Sequence, residues 1–241
     1  MQSLLLTLSY VGVLYVRQET RPSKTVYRDD LAVIRARLAA ISLLTVAVVV
    51  FYWLQGEVLG LVLTYNSIVQ TLKALGLTAV LFAAPVYETI VYTRHWGQAL
   101  SSIWDIYGLR NYIIGPVTEE IIFRACLITS LNDKWSPAKT IFVTPLYFGV
   151  AHLHHAYEEY LREGEEHLTD ILLTSIFQFL FTTVFGWYAA YLYVHFNTAY
   201  APIVVHIFCN FMGVPEWPDD RIYRVLLFIG LASFFYLLTL V

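Results

Sequence analysis

Charge is what this sequence has least of. Only 14% of its 241 residues are Asp, Glu, Lys or Arg, where a soluble domain carries about a quarter. The charges are bunched, and long apolar runs lie between them. Cysteine is scarce as well: Cys126 and Cys209 each sit in an apolar segment, which argues against a disulfide framework and for buried thiols. No internal repeat and no low-complexity stretch is visible. The run from Ser3 to Val16 has no preceding Lys or Arg and no small-residue cleavage site, so a retained first span is expected in place of a cleavable signal peptide. A net charge of −3 offers no basic surface for nucleic acid.

What is abundant is apolar: 58% of the residues are hydrophobic. Several runs reach or approach the ~20 residues that cross a bilayer, and blocks such as LLTVAVVVFYWL do not alternate as barrel strands would. The expectation is an all-α polytopic membrane protein, a single integral membrane domain over residues 1–241. About eight segments are predicted, near residues 2–16, 38–54, 72–92, 109–131, 137–156, 169–194, 198–213 and 222–241. Residues 59–69 are a further interfacial or re-entrant candidate.

Lys and Arg are unevenly shared between the connecting loops. The odd loops hold Arg17, Arg21, Lys24, Arg28, Arg35, Arg37, Arg94, Arg110, Arg162, Arg221 and Arg224, and the even side holds Lys73, Lys134 and Lys139, eleven against three. By the positive-inside rule the odd loops face the cytosol.

An ionisable side chain inside a membrane costs roughly 2.5–3.5 kcal/mol and is a functional hypothesis by default. Four places qualify: Glu119, Glu120 and Arg124 in GPVTEEIIFR; His152, His154 and His155 in FGVAHLHH; His206 and Asn210 in HIFCN; and Glu88. Glu120 and Arg124 are four apart, so they share a helical face and pair in the favourable acid-first order. Glu119 is turned about 100° away and is left to face something else. The first carboxylate looks structural and the second chemical.

Each group also has an ordinary reading. A Glu–Arg pair in a membrane helix is often a buried strut, and His and Asn commonly glue helices together. Glu88 reads as an interfacial or packing residue, and His154 and His155 approach the end of their segment, where solvated side chains are common. Taken together, an unpaired Glu, a His from a second helix and a His/Asn pair from a third form a catalytic inventory. Glu and His hold and deprotonate a water, and His and Asn donate to a developing oxyanion. That suits hydrolysis of an acyl or peptide bond.

These residues fall in three motifs: TEExxFR at Thr118–Arg124, FGxAHxHH at Phe148–His155 and HxFCNxMGxP at His206–Pro215. Together with SYVGVLYV and DLAVIRAR nearer the start, they resemble the type 2 CAAX prenyl proteases, the Ras and a-factor converting endopeptidases of the abortive-infection superfamily. The resemblance implies that Glu119 and His152 activate water, that His206 and Asn210 form an oxyanion hole, and that Glu120 and Arg124 support the site. It further implies an endoplasmic-reticulum enzyme with a site open to the cytosol and to lipid. The implied substrates are prenylated CAAX proteins such as small GTPases, which lose their last three residues with no cofactor or metal.

Three other readings compete. A zinc protease lacks its HExxH here. A cysteine protease would have to use Cys126 or Cys209 in apolar settings that leave thiols inert. A non-enzymatic transporter or scaffold would be favoured by inverted repeats or broken helices, and neither is visible in the sequence.

Overall fold

The protein is described from a computed structural model covering residues 2–92, 101–215, 217 and 219–240. Short polar residues punctuate the apolar chain and set where helices begin. Thr64 accepts from Ser67 N while the Ser67 side chain reaches back to Thr64 N, a reciprocal capping box. Ser136 accepts from Lys139 N ahead of Pro137, and Asp220 accepts from Ile222 N and Tyr223 N. Asn197 ends the longest helix in the left-handed region at φ 50°.

The resulting helices are α1 Gln2–Val13, α2 Leu31–Leu54, α3 Tyr65–Leu81, α4 Ala83–Tyr92, α5 over residues 106–129, α6 Pro137–Ala151, α7 His154–Glu163, α8 Leu168–Phe196, α9 Tyr200–Met212 and α10 Arg221–Leu238. Among the described residues there is no strand. The outer faces are oily: Leu172, Leu173, Ile176, Phe177, Leu180 and Phe181 of α8 are all exposed, as are Leu43, Val46, Val50 and Phe51 of α2. Apolar surface on this scale needs lipid to cover it. The all-α membrane architecture expected from composition is the one found.

The count of eight spans is not. Among the described residues, three helices are able to cross a membrane by length and composition: Leu31–Leu54, Glu165–Phe196 and Arg221–Leu238. A fourth crossing exists if α3 and α4 count as one span bent by 80°. The predicted segment 72–92 is therefore a broken helix, contrary to the expectation of none. Lys73, assigned to a loop, lies inside α3. The predicted segment 137–156 also divides, because α6 ends at Ala151 and His154 opens the separate helix α7. The 59–69 candidate divides: residues 59–64 are non-helical and dock on the α8–α9 turn, where Gly60 O accepts from Ala199 N at 3.0 Å, and residues 65–69 open α3. Arg94 of the loop count lies outside the described residues.

Helix α5 runs through the middle, touching α1, α2, α8 and α9, and its Ile122–Thr129 stretch is buried throughout. It is wound unevenly: Leu109–Ile114 and Ile121–Cys126 are π-helical and bracket the α-helical Gly115–Glu120. Such wide turns are rare and recur at functional sites. α6 and α8 pack so closely that a Cβ on Gly149 would fall 2.5 Å from Thr183 Oγ1, and one on Gly186 would fall 2.7 Å from Pro145 Cβ. Small residues at crossings let membrane helices approach this way.

Candidate active site

Four side chains from α5 and α9 converge. Arg124 Nη1 donates to Glu120 Oε1 at 2.9 Å, with the two side chains 1% and 0% exposed. His206 Nδ1 lies 2.8 Å from the same Glu120 oxygen, and His206 Nε2 lies 3.7 Å from Glu119 Oε2. One imidazole thus bridges both carboxylates. Glu120 is held by two partners, whereas Glu119 is 21% exposed and, among the described residues, pairs with no arginine.

The aromatic surroundings explain how a guanidinium is tolerated here. Arg124 stacks 4.3 Å from the Phe148 ring centroid and 5.7 Å from that of Phe185, a cation–π setting that offsets part of its desolvation. Phe148 also meets the His152 ring at 4.6 Å and the His206 ring at 6.4 Å, which joins the histidine of α6 to the cluster. Gly186 completes the slot, since a Cβ there would come 3.2 Å from Arg124 Nη2.

His152 caps the end of α6, and its Nδ1 lies 2.8 Å from Phe148 O. A carbonyl only accepts, so Nδ1 carries the proton and Nε2 of the neutral ring keeps its lone pair. The same logic applies to His206. With Glu120 ionised beside Arg124, Nδ1 donates, and Nε2 is a donor only when the ring is an imidazolium.

Asn210 is exposed, and its Nδ2 donates to Asn111 O of α5 at 2.8 Å. The pairing of His206 and Asn210 on one helical face therefore leads to two different partners. Cys126 is fully buried in the core and Cys209 half-buried. Glu88 is half-buried on α4, and among the described residues no hydrogen bond or ion pair joins it to the cluster.

A second polar group, which the sequence alone did not reveal, sits where α1, α2 and α7 meet. Glu158 Oε1 accepts from Arg37 Nη2 at 2.6 Å and from Tyr15 OH at 2.7 Å, and His155 Nδ1 is 3.7 Å from Glu158 Oε2. Burial works to raise the Glu158 carboxyl, but bonds from His155, Tyr15 and Arg37 outweigh it and hold the group well below the usual carboxylate range. Ligand atoms of His154, His155 and Glu158 lie within 4.8 Å of one another. That is metal-ligand spacing, but Glu158 already serves two donors. Tyr10 of α1 reaches α5 from another side, bonding Thr118 Oγ1 at 3.2 Å.

Two cavities of about 640 and 510 Å³ line α3 and α10, the second also α4, and neither includes a motif residue.

Comparison with known proteins covers both the site and the frame. Residues 100–212 match the family model described as Type II CAAX prenyl endopeptidase Rce1-like. Similarity to "Probable CAAX prenyl protease 2" of Schizosaccharomyces pombe is 35% identity over 246 residues, 97% of this chain and 90% of that protein. With "CAAX prenyl protease 2" of Homo sapiens it is 34% over 235 residues, 87% of this chain and 69% of that one. The Saccharomyces cerevisiae protein of the same name is 34% identical over 157 residues, covering 59% and 49%. No solved structure matches the chain.

Proposed function

Since this chain belongs to the type II CAAX prenyl endopeptidase family, we propose that it is a membrane endopeptidase that removes the C-terminal tripeptide from prenylated CAAX proteins, small GTPases among them. The observation that carries the mechanism is the unequal treatment of two adjacent carboxylates. Glu120 is neutralised by Arg124 and tied to His206, while the one ion-pair contact of Glu119 among the described residues is with the distal nitrogen of that ring.

Glu119 is the base, working with the free Nε2 of His152. They draw a proton from a water whose oxygen bonds to the carbonyl carbon of the prenylated cysteine. The carbonyl oxygen becomes an oxyanion, stabilised by donors at the rim. His206 Nε2, as an imidazolium, and the Asn210 amide, once released from Asn111 O, serve there. When the intermediate collapses, the C–N bond breaks and the tripeptide amine takes the proton from the base. Glu120 and Arg124 hold His206 in place. No step needs a metal or cofactor.

The unit is a single membrane domain at the endoplasmic reticulum, with its site open to the cytosol and to lipid. The ion pairs Arg110–Asp29 and Arg37–Glu158 join residues of the first, third and fifth loops, which supports placing the odd loops on one side, the arginine-rich side.

The test is direct. Purified protein is mixed with a farnesylated CAAX peptide, and tripeptide release is followed by mass spectrometry. Wild type releases it, and Glu119→Gln, which keeps the shape and removes the base, folds normally and does not. A Glu119→Gln protein with near-normal turnover would show that the carboxylates have been assigned the wrong way round.

A further inference from the structure

The far end of the substrate also needs a partner, and this step rests on the endopeptidase reading above. A chain cut three residues from its end carries a free carboxylate about 10 Å beyond the scissile bond. A full negative charge drawn out of water calls for a cation. Most cations nearby are committed: Arg124 to Glu120, Arg37 to Glu158 and Arg110 to Asp29. Arg28 is not. It is exposed, and among the described residues its guanidinium has no hydrogen-bond or ion-pair partner.

Its position is fixed by its backbone. Arg110 Nη1 donates to Arg28 O at 3.3 Å and to Asp29 Oδ1 at 2.8 Å, and Tyr107 OH donates to Asp29 O at 3.3 Å. Arg110 adjoins Asn111, whose carbonyl holds the Asn210 amide. The 28–29 segment is thereby strapped to the start of α5 beside the site's rim, and the Arg28 charge is within electrostatic reach of Glu119, His155 and Glu158. Of the guanidiniums Arg28, Arg37 and Arg110, the last two are paired, with Glu158 and Asp29, and Arg28 is the one without an ion-pair partner among the described residues.

We propose that Arg28 binds the C-terminal carboxylate of the substrate and so measures the three-residue distance from the chain end to the scissile bond. A guanidinium suits this because its planar fork donates two parallel N–H bonds to a carboxylate.

The experiment uses matched farnesylated peptides ending in a free acid or in an amide, with steady-state kinetics for wild type, Arg28→Gln, Arg28→Lys and Lys24→Gln. Lys24 is exposed on the same segment and controls for loss of one charge. Wild type and Lys24→Gln favour the acid by about ten- to a hundredfold in kcat/KM. Arg28→Gln loses that preference through a higher KM for the acid, leaves the amide unchanged, and Arg28→Lys recovers part of it. Wild type cleaving both peptides equally, or Arg28→Gln keeping the preference, overturns the assignment. Equal losses on both peptides would mean that Arg28 acts on lipid phosphate or on the fold. Cleavage of neither peptide by wild type overturns the endopeptidase reading beneath it.

Discussion

Replacing Glu120 with Ala tests the division of labour between the two carboxylates most severely. The change leaves the Arg124 guanidinium between Phe148 and Phe185 with no anion of its own, and it takes from His206 Nδ1 its acceptor at 2.8 Å. Removing one partner of a buried ion pair costs about 3–5 kcal/mol, and stranding a second buried donor adds about 1–3 kcal/mol. A domain of this length moves about 2–4 °C per kcal/mol, so the thermal midpoint should fall by about 8–32 °C. Tryptophan fluorescence of the protein in nanodiscs measures the midpoint, and tripeptide release measures turnover. The double replacement Glu120→Leu with Arg124→Met removes both charges, which is often close to neutral. It should recover most of the midpoint but no turnover, because His206 still lacks its acceptor. A Glu120→Ala midpoint within about 2 °C of wild type, or a double variant that cleaves, would refute this account.

The remaining predictions concern the oxyanion, the metal and thiol alternatives, and acid stability. Asn210→Ala should lower kcat about 10²–10³-fold and leave KM for the prenylated peptide nearly unchanged; a tenfold rise in KM at constant kcat would make Asn210 a positioning residue. Turnover should survive phenanthroline and the double change Cys126→Ser with Cys209→Ser, whereas loss on chelation restored by zinc would point to the His154, His155 and Glu158 cluster. A carboxyl lowered on folding, as in Glu158, stabilises fully above its unfolded value of about 4.3 and progressively less as pH falls toward the folded value. The gap in thermal midpoint between wild type and Glu158→Gln should therefore be constant from about pH 5.5 to 8 and close at lower pH. A gap that does not shrink in acid would show that ionisation of Glu158 is not what stabilises the cluster.

Much of the frame could be read from composition, because apolar runs that lipid must cover announce themselves. The Glu120–Arg124 pair could be read from spacing, since i,i+4 neighbours meet whatever the rest of the fold does. Hydropathy could not place the break at Phe82, where a continuous apolar run turns by 80°, because neither side of the bend becomes polar. Nor could it show His206 reaching across to both carboxylates, a contact 86 residues apart in sequence. The same holds for Asn210: one helical turn puts it on the face of His206, but α5 supplies the carbonyl that captures it. Glu158 and Arg37 looked like ordinary loop charges until the fold brought α2 and α7 together.

The two π-helical stretches of α5 alter what a deletion would do. A turn closed by i→i+5 bonds holds one residue more than an α-turn, so Leu109–Ile114 and Ile121–Cys126 each carry slack that a uniform helix would lack. Losing one residue from either stretch lets i→i+4 bonding re-form with little backbone bonding lost, yet swings everything beyond it by about 100°. Glu119 and Glu120 ride on a six-residue cassette whose azimuth is set independently at each end, as two adjustable collars set the angle of a shaft.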